Sequence, residues 1–313
     1  MTITECIEKV CFLALALIFA AIVCTRVIPD ISTSNDTGRY VNNILNKVKS
    51  TQYKLAERIY YWLISSLFDE NTIRLYFFLT AIIVPLVLTF SFKWENLDFL
   101  IACGILFSVY FLDLTTNALR ECFALSLFMC SIKASSKVNK VLFLILAALI
   151  HYFVLIYLPF MVLYWLRKKP LRVHIIIATA VVLIAFAFGM DEIRKWFEFF
   201  STIYMQRQKY SFVLFMILPI AFLCCSLGAS RFRGPAFYFG IYLLALLLVC
   251  LLFFPYITYR ITLSGFVILL SLMMDSQDFP ARLKLAVPII SISQLFFYCV
   301  TSSNVRLLWF HPI

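Results

Sequence analysis

Charged residues cut this chain into a series of long apolar runs, and that division restricts its fold more than any motif. The runs lie near 10–28, 75–92, 98–112, 116–132, 173–189, 211–228, 236–254, 261–274 and 285–300. Most approach the roughly 20 residues that a helix needs to cross a hydrocarbon core of about 30 Å. Inside lipid the backbone has no water to bond, so such runs fold as helices that satisfy their own N–H and C=O groups. Only 14% of the 313 residues are charged and 63% are apolar, whereas a soluble domain carries about 25% charge. That balance leaves no room for a separate soluble catalytic domain. The reading is an all-α, polytopic integral membrane protein, one transmembrane domain over 1–313, with about ten or eleven transmembrane helices.

One run has an awkward length. Residues 141–166 contain no Lys, Arg, Asp or Glu over 26 positions. As one straight helix the run would be about 39 Å long, too long for one span and too short for two. Lys133, Lys137 and Lys140 precede it, and Arg167, Lys168, Lys169 and Arg172 follow it. If both basic clusters face the cytoplasm, the run enters and returns as two short helices bent near His151. A single tilted helix is the simpler alternative. With the hairpin, the N-terminus is inside and the C-terminus outside. The short loops 133–140, 167–172, 229–235 and 275–284 are then cytoplasmic, and together hold eleven basic residues against two acidic ones. The outer side receives a loop at about 29–74, an amphipathic stretch at about 190–210 and a short turn at 255–260. Arg39, Lys47, Lys49, Lys54, Arg58 and Arg74 stand in that first outer loop. Either the topology is inverted or those cations have a task, and the short loops favour the task.

Other classes drop out. The formal net charge of +11 is scattered among loops with no dense patch, so no nucleic-acid partner is expected and membrane lipids are. The ten cysteines form no CxxC pair and there are three histidines, so no metal site and no cofactor are expected. The first apolar run follows Glu5 and Glu8 rather than a basic region, and reads as a retained anchor.

Charges within apolar segments are costly and therefore the first functional candidates. Arg120 and Glu121 fall one to two turns into a helix expected after Asp113, with Thr115 or Thr116 as its cap. Arg120 could equally snorkel to the interface, or pair with Glu121 or Asp113. Arg260 stands beside Tyr259 at the junction of two apolar runs, where an interfacial anchor is the plainer role. His151 at the bend could satisfy a broken backbone or act on a substrate. In the expected topology Arg39, Arg120, His151, Arg207 and Arg260 share the outer face. No Ser-His-Asp order, Gly-rich phosphate loop or HExxH motif occurs, and seven glycines leave little scope for one. Several arginines at one interface suit an anionic group such as a lipid pyrophosphate, because the guanidinium fork binds phosphate oxygens in pairs.

The stretch from Thr116-Asn117-Ala118-Leu119-Arg120-Glu121 to Leu127, a basic loop, and then Ala147-Ala148-Leu149-Ile150-His151 resembles the EpsG-like, Wzy-type polysaccharide polymerases. In that family an N-A-x-R-Q helix precedes a basic loop and an apolar run ending in histidine. Asp36 to Tyr40 with Glu57 in the first outer loop, and the late Tyr259-Arg260, are similar too. Glu121 departs from the family's usual glutamine and sets a carboxylate next to Arg120.

The resemblance implies an O-antigen or capsule polymerase at the periplasmic face of a bacterial inner membrane. Such an enzyme joins oligosaccharide repeat units carried on undecaprenyl pyrophosphate, with the growing chain as donor and a hydroxyl of the incoming unit as acceptor. Arg120 and Arg260 are then the candidates for pyrophosphate, with His151 or Asp36 as base. Arg39, Tyr40, Glu57, Asn117, Glu121, Arg207 and Tyr259 become substrate-binding candidates. A chain-length regulator is an implied partner. The alternatives are another lipid-linked glycosyltransferase, an O-antigen ligase, or a flippase for lipid-linked sugar.

Overall fold

The computed structural model describes residues 3–25, 36–45, 55–95, 97–166, 210–229, 234–253, 255–274 and 280–301, and every regular element among them is helical. The expected span at 173–189, most of the stretch 190–210, and Arg207 lie outside the described residues. The chain divides into two compact units, Met1–Leu155 with Phe266–Ile313, and Ile156–Gly265.

The first unit is built on a long pair, α1 (Ile3–Cys24) and α4 (Ile73–Ser91). At one end, the near end, Lys9 Nζ reaches the Phe92 carbonyl (3.5 Å) and pairs with Glu5 (3.0 Å). At the other, the far end, Arg74 Nη1 donates to the Cys24 carbonyl at 2.8 Å. The two helices are therefore antiparallel. The expected outer loop between them holds two short helices, α2 (Asp36–Leu45) and α3 (Leu55–Leu67). Asp69 ties α3 to α4 by accepting from Asn71 N, Thr72 N and Thr72 Oγ1 at 2.7–3.0 Å. The Thr72 hydroxyl, first among these bonds, holds the Asp69 carboxyl below the usual carboxylate range.

The expected helix 98–112 is in fact broken. α5 (Asp98–Leu106) and α6 (Val109–Thr116) meet at a 49° bend. Ser108 makes the break, because its hydroxyl donates to the Ile105 carbonyl (2.7 Å) and accepts from Phe111 N (3.1 Å), closing one helix and capping the next. α7 (Leu119–Lys133) and α8 (Lys137–Ile150) follow as a tight antiparallel pair. Ser136 caps α8 through Asn139 N at 3.2 Å.

The over-long run breaks at His151. That residue is extended (φ −151°, ψ 102°), and a 3-10 helix (Tyr152–Tyr157) and α9 (Leu158–Leu166) continue the chain. The straight tilted helix is thereby excluded. For the topology of this break we expect Lys137→Cys and Lys169→Cys, each in a cysteine-free background, to be equally protected from an impermeant thiol reagent added outside. Labelling of one position alone would contradict a return of the chain to the same side.

α13 (Ala281–Thr301) completes the first unit by packing on α5 and α6. A Cβ at Gly104 would collide with the Val287 side chain, so glycine is what permits this close approach of α5 to α13. Lys284 Nζ meets Asp98 Oδ1 at 2.7 Å, with both side chains at most 5% exposed.

In the second unit α11 (Pro235–Phe253) packs on α9 and on α10 (Tyr210–Ala229). Tyr157 Oη bonds Ser264 Oγ (2.8 Å) and the Ile261 carbonyl (3.1 Å) in the first half of α12 (Pro255–Met274). Arg260 is thus inside a helix and not at the junction expected from hydropathy, since the helix starts at the proline five residues earlier.

By length and hydropathy, α1, α4, α12 and α13 can cross a membrane among the described residues, and the bent α5–α6 pair makes a fifth candidate. α10 and α11, at 20 and 19 residues, are as long as α4, whereas α7 and α8 are shorter. At 15 and 14 residues, α7 and α8 are about 22 Å and 21 Å long, short of a core of about 30 Å.

Candidate functional site

The turn between α6 and α7 carries the most distinctive chemistry. The two threonines expected to cap α7 are turned the other way. Thr115 Oγ1 donates to the Phe111 carbonyl (3.0 Å) and Thr116 Oγ1 to that of Leu112 (2.8 Å), bonds that finish α6. Asn117 N and Ala118 N both donate to the Asp113 carbonyl, and Asn117 Nδ2 donates to Asp113 Oδ1 at 2.5 Å. Asp113 therefore clamps the turn from within, at 4% exposure. The spacing of four between Asp113 and Asn117 is the sequence signal for this clamp.

α7 then starts one residue before Arg120, with Ala118 at its N-cap and no side-chain capping bond. Arg120 and Glu121 are consequently in the first turn, not one to two turns deep. Glu121 is wholly buried, at the end of a helix whose dipole favours negative charge. The Arg120 guanidinium lies over the Tyr61 ring at 5.5 Å. Its Nε and Nη1 are buried and carry no hydrogen bond, although the group keeps other interactions.

Tyr61 belongs to the loop helices, and these cover the turn. Val41 and Ile44 of α2, Tyr60, Tyr61 and Ile64 of α3, Ile73, Tyr76 and Phe77 of α4 and Leu119 of α7 form one apolar core, with Ile150 at its edge. Tyr60 and Tyr76 share a 2.7 Å hydroxyl–hydroxyl bond at its centre, and Tyr76 stacks on Phe123 of α7 at 6.0 Å. α2 and α3 pack together and, through this core, against α4, α7 and α8, forming a roof over the turn.

The structure thus brings Asn117, Arg120 and Glu121 together, under the two helices that carry Asp36, Arg39, Tyr40 and Glu57 in their backbones. His151 stands one residue beyond Ile150, at the same end. Its Nδ1 accepts from Phe153 N at 3.3 Å, so it does satisfy the broken backbone. An accepting Nδ1 carries no proton, which puts the proton of the neutral ring on Nε2. Tyr259 and Arg260 belong to the second unit, where Tyr259 is buried and Arg260 half-buried. Among the described residues no group of His, Cys, Asp or Glu is arranged to hold a metal ion.

No curated protein and no solved structure matches the chain. The model of the EpsG family matches residues 9–310, almost the whole length, including the clamped α6–α7 turn, the roof helices and His151. The chain belongs to the EpsG family, membrane proteins linked to exopolysaccharide biosynthesis.

Proposed function

We infer that the protein polymerises lipid-pyrophosphate-linked oligosaccharide units, with undecaprenyl pyrophosphate as carrier, at the periplasmic side of the bacterial inner membrane. The observation that carries this reading is the α6–α7 turn. It offers a guanidinium, set over the Tyr61 ring, at a helix start without a side-chain cap. Phosphate oxygens are bound by this combination of aligned backbone N–H groups and arginine.

In the reaction, the bond from the anomeric carbon of the growing chain to the pyrophosphate oxygen breaks. A new bond forms from that carbon to a hydroxyl of the incoming unit. Negative charge develops on the departing pyrophosphate, and Arg120 stabilises it; Arg260, in the second unit, is assigned to a phosphate by its charge and paired donors. The acceptor proton passes to a carboxylate, and Asp36 is the candidate carried by the roof. With Nδ1 engaged by Phe153 N, His151 serves better as an Nε2–H donor to a sugar or phosphate oxygen than as the base. Arg39, Tyr40, Glu57, Asn117, Glu121, Arg207 and Tyr259 are assigned to holding glycan or lipid. A chain-length regulator would act on this machinery from outside the chain.

The test is a glycan ladder gel of a deletion strain. A single repeat unit on the acceptor lipid supports polymerase, whereas no repeat unit points to a ligase or flippase. In the same strain, Asp36→Ala and Arg39→Ala should insert normally and give short polymer or none. Normal chain lengths from both would leave the roof as scaffold.

A further inference from the structure

α3 is apolar on two sides. It turns Tyr60, Tyr61 and Ile64 into the far-end core, yet leaves Ile59, Trp62, Leu63 and Leu67 between 48% and 71% exposed. Positions 59, 62, 63 and 67 follow helical spacing and form one stripe. A contiguous stripe of large apolar side chains marks an interaction surface. At 13 residues the helix is about 20 Å long and cannot cross the bilayer itself.

Two observations identify what covers the stripe. First, α3 packs on α8, and α8 exposes Val141, Leu142, Ile145 and Leu149 along its own outer side. α3 therefore packs against a helix that has an exposed apolar face of its own, as a helix facing lipid has. Second, Lys47, Lys49, Lys54 and Arg58 run into α3, and Glu57 is the one acidic residue between 37 and 68. These are the cations that fit poorly with an outer loop, and anionic headgroups complement them.

The geometry points to α3 as an interfacial helix docked on the leaflet at the far end of the bundle, with the Ile59–Leu67 stripe at the headgroup–acyl boundary of a leaflet whose anionic headgroups complement the basic sequence before the helix. Trp62 sits in the environment an indole favours, apolar on its rings and polar at its N–H. Tyr61, the residue before it, lies on the Arg120 guanidinium. One short helix then joins the membrane surface to the Arg120 turn, whatever reaction that turn serves.

The experiment uses the full-length protein in nanodiscs of phosphatidylcholine and phosphatidylglycerol. The difference spectrum between the wild type and Trp62→Phe isolates this indole from the other four tryptophans. Its emission should be blue-shifted from that of a water-exposed indole, quenched by lipid brominated high on the acyl chain, and insensitive to iodide. Water-like emission, quenched by iodide and not by bromolipid, would overturn the docking. Equal bromolipid quenching in nanodiscs of phosphatidylcholine alone would overturn the contact with anionic headgroups.

Discussion

Arg120→Ala is expected to collapse the glycan ladder to a single repeat unit while the protein still inserts. Removing one donor aimed at a developing oxyanion typically costs about 100- to 1000-fold in rate, or roughly 3–4 kcal/mol. Arg120→Lys should retain partial activity with shorter chains, because it keeps the charge and loses the paired donors. It also loses a flat cation to stack on Tyr61. The same pair of substitutions at Arg260 should behave alike if that arginine also binds phosphate. An anchoring role makes a different prediction: lysine would serve fully, and alanine would lower abundance and not activity per molecule. Polymer formed per inserted protein decides between them. Near wild-type values in both alanine variants would remove the arginines from the mechanism.

Breaking the buried ion pair between α5 and α13 should have the largest effect on stability. Asp98 accepts from Lys284 Nζ at 2.7 Å and from Glu95 N at 2.6 Å, and its side chain is fully buried. Removing one member of such a pair leaves an uncompensated charge and costs about 3–5 kcal/mol, whereas an exposed pair contributes about 0–1 kcal/mol. Lys284→Met and Asp98→Asn should each lower the thermal midpoint of the detergent-solubilised protein strongly. The double variant should recover much of that loss, since no lone charge remains buried. Fluorescence-detected gel filtration after heating reads all three. Small shifts in both single variants would mean that water reaches the pair.

The helical class, the ends of the long helices and the break at His151 were legible in the residues because each depends on local quantities. Hydropathy sums the cost of moving neighbouring side chains into lipid, and α1, α4 and α13 begin and end within a few residues of their apolar runs, apart from the early start of α1. The run 141–166 was legible as a break because its length fits neither one straight span nor two, and basic clusters flank both of its ends. The start of α7 was not legible. Thr115 and Thr116 have the right chemistry for capping, but their hydroxyls bond backward to Phe111 and Leu112. Which way a threonine turns depends on the competing backbone carbonyls, and a hydropathy profile contains none of that. The start of α12 at Pro255, which moved Arg260 into a helix, was obscured by the polar residues around it.

The sequence by itself determined a helical membrane protein, its charged candidates and its family resemblance, since these follow from composition, run length and order along the chain. Only the tertiary structure decided that α2 and α3 roof the Arg120 turn, and that Asp98 meets Lys284 across 186 positions. Such contacts arise from apolar and ionic groups far apart in the chain finding one another. Transfer to lipid drives each run into the membrane, but it is indifferent to which neighbour the run then meets; packing and hydrogen bonding make that choice.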